Sequence, residues 1–143
     1  MSRRRAREYA FMFLYQLDIR NNEQEEQRQM FLDEYPLDKK DLEYFDHLYQ
    51  CVFSERVELD TIYEPFLKGW TIQRLPRVDV ILLRIAVFEI TEAEDVPKSV
   101  VINEAVILAK KYSAEDSKAY INGVLGKIPE GQKSERKSAK DEK

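Results

Sequence analysis

Residues that break helices are too scarce in this chain for anything but long helices to dominate. Four glycines and five prolines among 143 residues leave uninterrupted runs of good helix formers, with apolar side chains recurring at spacings of three and four. The pattern predicts an all-α fold of about seven helices. The first covers 3–18, with Ala6, Ala10, Phe13, Leu14 and Leu17 on one face and Phe11 and Tyr15 on another. A second apolar face marks either burial between neighbours or a docking surface.

A polar connector over 21–29 leads to a short helix over 27–34, ended by Tyr35-Pro36 because the residue before proline is pushed out of the helical region. Asp38 caps a helix starting at Lys39, whose core stripe is Leu42, Phe45, Leu48, Tyr49, Val52 and Phe53. That helix bends near 54–58, and another spans 59–67, bent or ended by Pro65. Gly69 supplies a left-handed stop, and Trp70 is expected in the core. The next helix, 77–91, is apolar on most faces and therefore central. Arg84 in its middle needs a carboxylate, with Glu104 or Glu89 as candidates. Ser99 is expected to cap a helix over 100–112, and the last helix covers 115–127. Gly123 in that helix reads as permitting close approach by a neighbouring helix or a ligand backbone. The charged segment 129–143 is expected to be a disordered tail.

Composition narrows the function. Cys51 is the only cysteine and His47 the only histidine, so an intrachain disulfide is excluded and no Cys/His metal spacing exists. No Gly-rich phosphate loop or nucleophile elbow is present. His47 lies in a helical segment with no second ligand nearby and reads as a helix-surface or packing residue. The expectation is a non-enzymatic protein with no cofactor, no metal and no catalytic residue. No apolar run reaches transmembrane length, and with no secretory apolar segment a reducing cytoplasm is expected.

Charge supplies the positive clue. The chain carries a net charge of −4, yet Arg3, Arg4, Arg5 and Arg7 crowd its first seven residues without an acid. They open a helix, where the macrodipole favours anions. Stability alone would not select them, and guanidinium forks suit phosphate oxygens. A solvated, frayed end is the competing reading of the same residues.

Three segments resemble the NusB family of bacterial transcription antitermination factors and the related RNA-binding domains fused to RNA cytosine methyltransferases. They are Arg3-Arg4-Arg5-Ala6-Arg7-Glu8 continuing to Leu14-Tyr15-Gln16, Trp70 to Leu75 continuing through Leu83-Arg84-Ile85-Ala86, and Val101-Ile102-Asn103-Glu104-Ala105 through to Tyr120-Ile121-Asn122-Gly123-Val124-Leu125. The resemblance implies one all-helical RNA-binding domain over 1–128, built from two small helical subdomains. It implies binding of boxA RNA in ribosomal RNA leaders, together with the small-subunit ribosomal protein NusE. The setting it implies is an RNA polymerase antitermination complex with other Nus factors.

By position, the resemblance assigns Arg3, Arg4, Arg5 and Arg7 to RNA contact, with Asp116, Lys118, Tyr120 and Asn122 completing the surface. Tyr120 then either stacks on an unpaired base or packs against the first helix. Relatives carry a basic residue where Ala119 stands, and on a helix the shift to Lys118 is about 100°. Tyr15 and Asp79 match the face that meets NusE. Monomer and homodimer both remain open for the free protein, and a protein-docking helical module without specific RNA binding is the alternative function.

Overall fold

The computed structural model describes residues 2–93 and 95–130, so most of the charged segment 129–143 lies outside the described residues. Among the described residues the regular structure is entirely helical: seven α-helices and two 3₁₀ turns. They form two compact units, the first ending at Glu55 and the second beginning at Arg56.

The first unit holds α1 (Ser2–Ile19), α2 (Gln24–Glu34) and α3 (Lys39–Ser54). Both α2 and α3 pack on α1. Ala6, Ala10, Phe13, Leu14 and Leu17 are all buried, as their spacing requires, and Phe11 is buried too. The centre is aromatic. Phe13 meets Tyr49 edge-on at 4.9 Å, and Phe31 stacks on Phe45 at 5.8 Å with 14° between planes. Asp38 caps α3 as expected, its carboxylate accepting from the Asp41 N–H at 2.9 Å.

The connector is shorter than the polarity of 21–29 suggests, because Gln27 is buried inside α2. Its Nε2 donates to the carbonyls of Arg20 (2.9 Å) and Asn22 (2.6 Å), while its Oε1 accepts from Gln16 at 2.8 Å. One amide thus satisfies two carbonyls of the connector between α1 and α2. A polar side chain on the buried face of α2 carries the work that an apolar residue would signal in sequence. Arg28 closes the unit from outside with a two-point ion pair to Asp46, at 2.7 and 2.8 Å.

The second unit contains α4 (Arg56–Tyr63), the 3₁₀ turns Glu64–Phe66 and Ile72–Arg74, then α5 (Arg77–Glu92), α6 (Lys98–Tyr112) and α7 (Ser117–Gly126). Pro65 falls in the first 3₁₀ turn, so α4 stops at Tyr63 and not at Leu67. Within this unit α5 packs against α4, α6 and α7. Only Arg77, Val78, Arg84 and Glu92 of α5 escape full burial. Arg84 pairs with Asp60 of α4 and not with Glu104 or Glu89, its Nε and Nη2 donating at 2.9 and 2.8 Å. Ser99 is not a cap: α6 starts one residue earlier, at Lys98, with Pro97 in the cap position. Lys98 reaches across to the end of α7, donating to the carbonyls of Gly126 (2.9 Å) and Ile128 (2.6 Å). A cation there satisfies carbonyls that no helical N–H can reach and suits the dipole.

Candidate nucleic-acid interface

In the first unit the start of α1 carries the arginines, with no acid in its first turn. Arg3 and Arg7 are four residues apart and share a helix face. Both guanidiniums lie over the ring of Tyr44 on α3, at 4.8 and 5.9 Å from its centroid, and Arg7 Nη2 donates to the Tyr44 hydroxyl at 3.4 Å. The electron-rich ring face offsets part of the repulsion between the two cations. Arg7 is only 5 % exposed, Arg3 is half-buried, and Arg4 and Arg5 are exposed. The motif therefore divides: one pair gathers at Tyr44 and the other faces solvent. Tyr44 is a site residue that sequence reasoning missed, and no periodicity could have marked it because it sits beside the core stripe of α3. Further along α1, Tyr15 is 37 % exposed and faces the Phe11 ring at 6.5 Å.

In the second unit the relevant residues gather at the start of α7. Asp116 occupies the N-cap position without a side-chain cap bond and is exposed. Lys118 is half-buried and Asn122 exposed, one helical turn apart on the same face. Tyr120 lines a cleft of about 230 Å³ with Trp70, Leu75, Pro76, Asp79, Asp116 and Ser117. Burial, and after it the charge of Asp79, pushes the Tyr120 phenol pKa up. Its hydroxyl is buried with no hydrogen-bond partner among the described residues.

Asp79 itself is 2 % exposed. Ser113 from the end of α6 and Ser117 from the first turn of α7 both donate to its carboxylate, at 2.5 and 2.8 Å. The carboxylate fixes where α7 begins and so where Tyr120 projects.

Two expectations at this site are corrected. Trp70 is not core: it is 51 % exposed, its ring meeting that of Tyr120 at 6.3 Å with 70° between planes. The preceding Gly69 has φ +75° and the Trp70 N–H donates to the Leu67 carbonyl at 3.4 Å, so the chain turns outward before the indole can enter the interior. Gly123 does not admit a neighbouring helix, since a Cβ built there meets nothing within 4 Å. The glycine lies on an open face.

His47 is exposed on α3, with the Cys51 sulfur 3.8 Å from its Nδ1. Among the described residues no group of acids, histidines and cysteines is placed to hold a metal. No described helix is long and apolar enough to cross a membrane.

Residues 4–130, which take in Arg4, Arg5 and Arg7 of α1 and the whole of α7, match the NusB family. The chain belongs to the NusB family. It is 44 % identical over 128 residues to the transcription antitermination protein NusB of Acetivibrio thermocellus, covering 90 % of this chain and 88 % of that one. Among solved structures it is similar to NusB of T. maritima, with a TM-score of 0.81 and 32 % identity over 91 % of this chain and 95 % of that one. It is also similar to a chain in the crystal structure of antitermination factors NusB and NusE in complex with dsRNA, at TM-score 0.77 and 31 % identity, covering 87 % of this chain and 93 % of that one. All the NusB-like positions singled out in the sequence, apart from Arg3, fall inside the matched stretch.

Proposed function

We propose that this chain is a transcription antitermination factor. It binds boxA RNA of ribosomal RNA leaders together with the ribosomal protein NusE, and so helps RNA polymerase, with the other Nus factors, to read through terminators. The observation that carries the reading is the match over nearly the whole helical region to NusB proteins, one of them crystallised with NusE and dsRNA. In this role the chain is a cytoplasmic binding protein and turns nothing over.

Within that reading Arg3, Arg4 and Arg5 neutralise phosphates, and Arg7 supports them by fixing Tyr44. Charge-assisted contacts from guanidiniums position the strand without reading its sequence. Tyr120 stacks on an unpaired base, while Asp116, Lys118 and Asn122 meet base edges and backbone along α7. In the first unit Tyr15 offers an exposed ring to NusE, and in the second unit Asp79 supports NusE contact by holding Ser113 and Ser117. In the absence of RNA, a homodimer covering the arginine face competes with the monomer.

The test compares a boxA RNA with a scrambled RNA at two salt concentrations, with and without folded NusE. Tighter boxA binding that improves with NusE is the expected outcome. Equal weak binding to both RNAs, unchanged by NusE, would reduce the chain to a docking module.

A further inference from the structure

One surface of the second unit extends from the residues assigned on α7 to side chains that neither they nor the arginine motif include. The turn from Leu67 to Trp70 runs alongside α7 and brings two kinds of side chain against it. Trp70 meets Tyr120 edge to face. Lys68, two residues earlier in the turn, is exposed, and so is Lys127, the C-cap residue of α7. Tyr120 and Lys127 are seven residues apart, which puts them on one face of the helix, two turns or about 10 Å apart.

Both pairs are unusual on a folded surface. A half-exposed indole beside a cleft of about 230 Å³ presents a flat apolar face to solvent. That volume is below the roughly 300 Å³ at which pockets for drug-sized ligands begin, so it suits a single planar ring. Lys68 and Lys127 are both exposed and neither is paired with a carboxylate among the described residues. The nearness of Lys68 pulls the pKa of Lys127 down. A phosphate between them would reverse that repulsion. Gly69, with φ +75°, is the hinge that makes the juxtaposition, since a residue with a side chain is strained in that conformation.

We infer that the 67–70 turn is a second RNA-contacting element, in which Trp70 stacks on an unpaired base beside Tyr120 while Lys68 and Lys127 hold a neighbouring phosphate. The inference rests on the RNA-binding reading above and extends it to residues outside that reading. An aromatic face alternating with cations is the pattern by which single strands are held, the rings taking bases and the charges tracking the backbone. Asp116 at the cleft offers an acceptor to the amino group of a stacked base. Adjacent cations favour this occupant over an apolar protein surface.

Trp70 is the chain's only tryptophan, so its emission reports on this turn alone. The experiment titrates the full chain with labelled single-stranded boxA RNA, following RNA anisotropy and tryptophan emission together. Emission is expected to be quenched in step with the anisotropy. Trp70→Ala should weaken binding about tenfold or more, and Trp70→Phe, which keeps a ring, should lose less. Replacing Lys68 and Lys127 together by Gln should lower the salt slope by about 1.4, two contacts at roughly 0.7 each. Binding that leaves the emission unchanged, with the affinity of Trp70→Ala and the salt slope of the double lysine variant as in the parent chain, would overturn the inference and leave RNA binding by α1 intact. So would an emission change on adding folded NusE without RNA, which would make the turn a protein contact. No anisotropy change at all would remove the RNA reading as well.

Discussion

Arg84 and Asp60 face each other as a two-point ion pair, Nε to Oδ1 at 2.9 Å and Nη2 to Oδ2 at 2.8 Å, tying α5 to α4 inside the second unit. The Tyr63 hydroxyl donates to the same Asp60 oxygen at 2.8 Å. Both charged side chains are largely shielded, with 11 % and 17 % exposure. Removing one partner from such a pair leaves an uncompensated charge, so Asp60→Ala should cost about 3 kcal/mol. Urea unfolding should show a lower midpoint at unchanged slope, and the double change Asp60→Leu with Arg84→Met should recover much of the loss.

Tyr63 gives the pH dependence. Burial, reinforced by the Asp60 charge and hydrogen bond, pushes its phenol pKa well above the ordinary 10.0. The unfolded chain therefore loses this proton first, and above about pH 10 it binds fewer protons than the native state. Stability from this group is full below pH 10 and falls as pH rises beyond it. Tyr63→Phe should be less stable at pH 8 yet show a shallower decline between pH 9 and pH 11, measured by denaturant unfolding at each pH.

The split in the arginine motif predicts two separable phenotypes. Arg4→Ala with Arg5→Ala should leave the melting temperature unchanged and lower the salt slope of RNA binding by about 1.4. Arg7→Ala should instead destabilise the first unit by about 1 kcal/mol, through loss of packing and of the Tyr44 contact. Comparing thermal melts with salt titrations for the two variants decides the assignment.

Gln27 should tolerate almost nothing. Gln27→Leu keeps approximate volume but abandons the Arg20 and Asn22 carbonyls and the Gln16 amide. A loss of about 2 kcal/mol in unfolding free energy is expected, and amide exchange at the α1–α2 junction should accelerate.

Lys98→Met should fray the end of α7. The ammonium satisfies the carbonyls of Gly126 and Ile128, and hydrogen bonds from a charged group are worth about 1.5–3 kcal/mol. Partial exposure reduces that, so a cost of about 1 kcal/mol is expected, read by chemical denaturation.

What the sequence conveyed and what it withheld divide along physical lines. Helix type, the core face of α1, Phe45, Leu48, Tyr49 and Val52 of the α3 stripe, the Asp38 cap and the buried α5 all follow from periodicity and local chemistry, whereas Leu42 and Phe53 at the edges of that stripe are only half-buried. Long-range polar pairing was not legible: Arg84 announced its need for a carboxylate, but no pattern separates Asp60 from Glu89 or Glu104. Gln27 hid the start of α2 because a buried amide looks like a connector residue. At the candidate site the arginines stood out through their sign, whereas the role of Tyr44 depends on α3 lying beside α1. Trp70 misled because size and hydrophobicity argue for the interior, and only the positive φ of Gly69 turns it outward.

The division at Glu55 and Arg56 has a consequence for how the molecule melts. The tight Phe13–Phe31–Phe45–Tyr49 cluster belongs to the first unit, while the lone indole belongs to the second. Emission and the near-ultraviolet dichroism of that cluster therefore watch different halves of the chain. Coincident transitions would mark a single cooperative block, and separated ones two folding events with their own temperatures.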